Sequence, residues 1–105
     1  MDLGDFFAHE LPERIKDGAH GLRHTFVFDV SGDGGGVWSI DFGAGTVRPG
    51  DAPAEVTLGL SSADLRELLR HPEHSGALLI RGRIRVTGND AAAIRFLQYL
   101  GMSHG

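Results

Sequence analysis

The sequence predicts an α+β domain: a five-stranded, mostly antiparallel sheet with helices packed on one face. Three observations carry that prediction. Apolar residues alternate with polar ones in successive runs between Thr25 and Leu60, which is the period of half-buried strands. Ala63, Leu65, Leu68 and Leu69 recur at helical spacing. Ile80 to Asp90 reads as a strand, a Gly88 turn and a helix cap, and opens into the apolar segment Ala91 to Leu100.

Taken in order, Leu3 to His9 can form an opening helix, which Pro12 should end because it lacks an N–H. Leu11 to Ile15 would follow as an irregular or second helical turn. In Thr25 to Ser31, Phe26, Phe28 and Val30 face one way and Thr25, Asp29 and Ser31 the other, with Val27 as the exception. Gly32-Asp-Gly-Gly-Gly36 is a hairpin loop, and Val37 to Phe42 alternates again with Trp38, Ile40 and Phe42 on one face. Thr46 to Arg48 is a short strand stopped by Pro49-Gly50, and Ala54 to Leu60 is another, with Val56, Leu58 and Leu60 on one face. Ser61 can cap a helix that His71-Pro72 ends. A second short helix is expected over Ser75 to Ile80, then a fifth strand over Arg81 to Val86. Asn89 or Asp90 should cap the last helix, with Gly101 as its stop.

Composition narrows the function classes. A chain of 105 residues with 41% apolar and 23% charged residues fits one domain, residues 1–105, with one core. No apolar run approaches the roughly 18 residues that span a bilayer, so no transmembrane segment is expected. Acidic residues stand where a secretory leader carries basic ones, and there is no cysteine, so disulfides and thiol chemistry are excluded and the expected compartment is the cytoplasm. A net charge of −4 argues against a nucleic-acid partner, because neutralising phosphates needs a basic face. Nine of the ten basic residues are arginine, a bias that reports genomic base composition.

Reaction chemistry is not visible, and no catalytic residue, cofactor or metal is assigned. His20-x3-His24 and His71-x2-His74 have spacings found in metal sites, yet glycine and proline interrupt them, and solvated loop histidines are the simpler reading. The glycines 32–36 join two strands and open no helix, so they cradle no phosphate. Arg81, Arg83 and Arg85 would alternate on one face of the fifth strand, where they could meet a ligand carboxylate or make transient contact with an anionic membrane. Pairing across strands with Asp29 or Asp41 is the plainer expectation.

Three segments in this order, Gly35-Gly-Val-Trp-Ser-Ile-Asp-Phe42, Glu55-Val-Thr-Leu-Gly-Leu-Ser-Ser-Ala-Asp-Leu65 and Arg81-Gly-Arg-Ile-Arg-Val-Thr-Gly-Asn89, resemble the sterol-carrier-protein-2-like lipid-binding domains. The likeness runs from about Phe6 to Leu100, with His71-Pro-Glu-His-Ser-Gly76 departing from the family pattern. The resemblance implies an apolar tunnel between sheet and helices that binds and carries a fatty acyl chain, a sterol or another hydrophobic small molecule. Its implied lining is Trp38, Ile40, Phe42, Leu65, Leu68, Leu69, Leu79, Ile84, Phe96, Leu97, Leu100 and Met102, although ordinary core packing would use the same residues. An empty space of roughly 300 Å³ would cost about 7 kcal/mol at ~24 cal/mol per Å³, comparable with a small domain's whole stability. Such a tunnel must be filled, flexible or absent.

Two other classes compete. A structural or interaction module that has lost its pocket would show a solid core and an exposed apolar patch, with a protein partner or a second copy bound there or along a sheet edge such as the first or third strand. A small enzyme folding an apolar substrate for cyclisation or isomerisation would show a buried titrating group, with Asp29, Asp41 and His24 as the candidates.

Overall fold

Strand β1 (Thr25–Ser31) lies at the centre of the sheet, and its core face is apolar along its length because Phe26, Phe28 and Val30 all point inward. The computed structural model describes residues 2–19 and 21–104, with the side chains of 101–104 outside the described set. On one side β1 pairs antiparallel with β2 (Gly36–Asp41), which pairs antiparallel with β3 (Thr46–Pro49). On the other it pairs parallel with β4 (Val56–Ser61), which pairs antiparallel with β5 (Arg85–Gly88). The sheet order is β3-β2-β1-β4-β5, so one of the four pairings is parallel and the edges are β3 and β5. This corrects the expectation that the first strand is an edge: a parallel neighbour needs a long crossover, which local alternation cannot reveal.

Register sets the core. Pro49, Trp38, Phe28, Leu58 and Val86 form one row across all five strands, and Val47, Ile40, Phe26, Val56 and Gly88 form the next. Helices cover this face, and Leu65, Leu68, Phe96, Tyr99 and Leu100 join the buried cluster. The opposite face carries Ser39, Asp29, Thr57 and Arg85, with Val27 buried between Ser39 and Thr57. Residues 50–55 cross that outer face from β3 to β4. Ser39 Oγ donates to the Gly50 carbonyl at 2.6 Å, and the Glu55 N–H donates to Thr25 Oγ1 at 3.0 Å.

The helical elements follow local chemistry. The chain enters through α1 (Leu3–Asp5), a π-helical turn over Phe6–Glu10, and α2 (Leu11–Ile15). Pro12 therefore does not end the helix. The Leu11 N–H reaches back to the Phe6 carbonyl, five residues away, and this widened turn makes room for the proline ring. Ser61 caps α3 (Ser62–Arg70), its Oγ accepting from the Asp64 N–H at 3.1 Å. After a 3-10 turn at Pro72–His74 comes α4 (Ser75–Ile80), at the expected residues. Residues 81–84 are a turn, so the fifth strand begins later than its alternation suggested. The Arg81, Gly82 and Arg83 amides bond back to α4 carbonyls, and Gly82 turns with φ +71°, which ends the helix and delays the strand. Asn89 Oδ1 accepts from the Ala92 N–H at 3.1 Å and caps α5 (Asp90–His104). Gly101 does not stop that helix, which continues to His104.

Gly88 shows what the β5–α5 corner demands. Its φ is +101°, and a Cβ there would sit 2.2 Å from the Glu55 carbonyl oxygen. Gly88→Ala should therefore destabilise the domain by more than about 1 kcal/mol in urea unfolding. Gly76→Ala, in α4 with open space around its Cβ position, should be neutral or stabilising by up to about 1 kcal/mol.

Candidate functional site

The layer between sheet and helices is filled by aromatic rings. Phe96 of α5 stands 5.5 Å from Phe26, 5.2 Å from Phe28 and 5.7 Å from Phe42, centroid to centroid. Phe7 stacks on Trp38 at 4.2 Å, which ties the N-terminal helical segment to β2. Such rings pack closely among the described residues. Apolar space opens at one end, where α4, β5 and α5 meet.

There a groove of about 300 Å³ is lined by Leu79, Val86, Asp90, Ala93, Ile94 and Leu97. Leu79 comes from the last turn of α4, Val86 from the inner face of β5, and the other four from the first turns of α5. Ala93 is small and buried, which leaves depth under α5, while Ile94 stands on the rim with 52% of its surface exposed. Asp90 is the one charged residue among these six. Close by in sequence, Ile80 at the end of α4 is 88% exposed.

The turn that shapes the groove is clamped. Ile84 is buried beneath it, and Arg83 Nε donates to both carboxylate oxygens of Asp64 on α3, at 2.9 and 3.0 Å. The predicted arginine row is thus divided. Arg85 alone lies in β5, with its guanidinium over Gly59, and the acid that Arg83 meets is Asp64, not Asp29 or Asp41.

The structure distributes the expected lining between groove and core. Leu79 and Leu97 face the groove. Ile40, Phe42, Leu65, Leu68, Ile84, Phe96 and Leu100 are buried in the common cluster, and Trp38 and Leu69 pack against it half-buried. The Met102 side chain lies outside the described residues. Val86, Ala93 and Ile94, which sequence reasoning did not single out, complete the groove. Ile94, an apolar residue off the stripe formed by Ala93, Phe96, Leu97 and Leu100, was the signal available for it.

Two polar regions flank this end. A cleft of about 470 Å³ between α3 and α4 is lined by Asp64, Glu67, His74, Ala77, Leu78, Arg81 and Arg83. Beside it, His71 and His74 stack with centroids 4.9 Å apart, and Glu67 Oε2 lies 2.5 Å from His74 Nδ1. The Glu73 carboxyl is held below the usual carboxylate range, first by its own backbone N–H and then by the rings of His71 and His74. Of the acid-base candidates, Asp41 accepts from the Ala44 N–H at 2.9 Å in a turn, and Asp29 is exposed on the outer face. His24 is half-buried, with Nδ1 buried and without a hydrogen-bond partner; His20 lies outside the described residues. No helix among the described residues is long and apolar enough to cross a membrane.

Comparison with known proteins bears on this geometry. The family model described as the SCP-2 sterol transfer family matches residues 7–100. Sterol carrier protein 2 like 2 from Aedes aegypti superposes with a TM-score of 0.76 at 18% identity, covering 90% of this chain and 94% of that one. The sterol carrier protein domain 2 of Helicoverpa armigera gives 0.77 at 21% identity, covering 99% and 89%. Sterol carrier protein 2 of Aedes aegypti, solved in complex with the C16 fatty acid palmitate, gives 0.73 at 15% identity, covering 95% and 94%. At these identities the likeness establishes the fold. No curated protein sequence matches the chain.

The Arg83–Asp64 clamp is open to measurement. A double-mutant cycle with Arg83→Ala and Asp64→Ala should give a coupling of about 0.5–1 kcal/mol in chemical denaturation, kept small because water screens the arginine. A coupling of zero would mean that the backbone bonds to α4 and the buried Ile84 hold the turn without the ion pair.

Proposed function

Because the chain belongs to the SCP-2 sterol transfer family, whose model covers residues 7–100, we propose that it binds and carries a hydrophobic small molecule such as a fatty acyl chain or a sterol. The observation that carries this reading is the apolar groove between α4, β5 and α5, whose volume of about 300 Å³ lies at the lower end of the range for small-molecule sites. Palmitate in the mosquito protein of the same fold supports an acyl chain as one class of cargo.

In this reading Leu79 and Leu97 touch the ligand first, with Val86, Ala93 and Ile94 beside them. Each methylene taken from water contributes up to about 0.8 kcal/mol before the costs of association, so affinity grows with chain length and specificity stays broad. Trp38, Ile40, Phe42, Leu65, Leu68, Leu69, Ile84, Phe96 and Leu100 do not line this groove and would be reached by a longer ligand only if the core parts. Asp90 governs the head group. A carboxylate beside it would be repelled, so a bound fatty acid would keep its head away from Asp90, whereas a hydroxyl could donate to it.

A second reading rests on Ile80. Its exposure of 88%, together with the filled core, is what a partner-binding module would show, and the two readings are compatible if cargo is handed over at this end.

Displacement of a fluorescent fatty acid tests the carrier reading. Ile94→Asp, at a half-exposed position where folding should survive, should weaken binding at least tenfold, or about 1.4 kcal/mol. Unchanged affinity would remove the groove from consideration, and no binding by the wild-type protein would remove the carrier. Asp90→Asn should tighten fatty-acid binding a few-fold and leave a neutral sterol or alcohol unimproved, in the range of about 0.2–1 kcal/mol for a solvent-exposed charge pair.

A further inference from the structure

We infer that His71, Glu73 and His74 form a binding site for one divalent transition-metal ion of the zinc class, with Glu67 positioning His74. The site is independent of the apolar groove. It arises from the 3-10 turn at Pro72–His74: such a turn has three residues per turn, so side chains at i and i+3 eclipse each other. His71 and His74 are placed that way, and their rings stack 4.9 Å apart with 24° between planes. The turn is fixed at both ends, by the His71 N–H donating to the Glu67 carbonyl at 2.8 Å and the His74 N–H donating to the His71 carbonyl at 2.9 Å.

One donor atom each from His71, Glu73 and His74 lies within 4.8 Å of the others. Donors around a single zinc ion stand about 3–4 Å apart, given metal–nitrogen bonds of about 2.0–2.1 Å. Closing the site therefore needs side-chain movement, which exposed side chains can make without moving the backbone.

Glu67 adds an observation from a different element. Its Oε2, on α3, lies 2.5 Å from His74 Nδ1. A carboxylate there holds the proton on Nδ1 and leaves the Nε2 lone pair for a metal, the arrangement by which carboxylates orient metal-binding imidazoles. His71 Nδ1 stands 3.4 Å from Glu73 Oε2, so the second imidazole is also beside an ionised oxygen donor. Two neutral imidazoles and one carboxylate make the donor set of an open zinc site, in which water takes the remaining position. The neighbouring cleft, of about 470 Å³ and also lined by Glu67 and His74, provides the room for it.

The test is titration of tag-free full-length protein with cobalt(II) chloride, followed by zinc(II) chloride. The expected result is a visible cobalt absorption that saturates at one equivalent, is abolished by zinc, and is lost in the double variant His71→Asn, His74→Asn. Glu67→Gln should retain the site with roughly tenfold weaker affinity. His9, His20, His24 and His104 remain in the double variant, so metal held elsewhere stays visible as background. Nuclear magnetic resonance of the wild-type histidine rings gives a readout independent of any variant's folding: zinc should shift the His71 and His74 signals. Absence of a saturable cobalt band, a band unchanged in the double variant, or unmoved ring signals would each overturn the site.

Discussion

The contact of Phe96 with Phe26 and Phe28 is the constraint on which the remaining structure depends. Phe26 and Phe28 stand on the central strand, so their core face is bordered by Ile40 and Trp38 on one side and by Val56 and Leu58 on the other. A ring from α5 inserted over that pair fixes the height of the helix layer above the whole sheet. Interiors pack at the density of organic crystals, so a layer of interlocked rings admits little adjustment. What freedom remains lies at the margins, where β5 is short and α5 begins with small residues.

That arrangement explains why open apolar space sits at an end of the molecule. An enclosed empty passage among these rings would forfeit the contacts that hold the layer together. A groove open at its rim avoids this penalty, since water covers it until an apolar ligand arrives. The cost is weaker enclosure. A carrier built this way would exchange its cargo readily, with an affinity set by how much of the ligand the rim residues cover.

Much of this was legible in the sequence, for physical reasons that differ by element. The alternation in Thr25 to Ser31 needs only the two-residue period of a strand, and the observed strand has the same limits. The Ser61 cap and the short helix over Ser75 to Ile80 are likewise local. The central place of β1 was not readable, because it depends on the crossing of residues 50–55 over the outer face and on parallel pairing with a strand about thirty residues away. Nor was the π-helical turn before Pro12, where a change in hydrogen-bond span rescues a helix that the proline should have ended. The groove was half legible: Leu79 and Leu97 are apolar wherever they fall, but their meeting with Ile94 exists only once the Gly82 turn and the Arg83–Asp64 pair have set the angle of α4.

The two rims of the sheet bear on how the molecule behaves in a crowded solution. β3 and β5 have four residues each, and β3 ends in Pro49, which has no N–H to offer a neighbouring chain. Little free backbone is left to template a foreign strand, which disfavours edge-to-edge stacking. Ile80 and Ile94 are therefore displayed on a domain whose sheet edges offer a foreign strand little backbone to pair with.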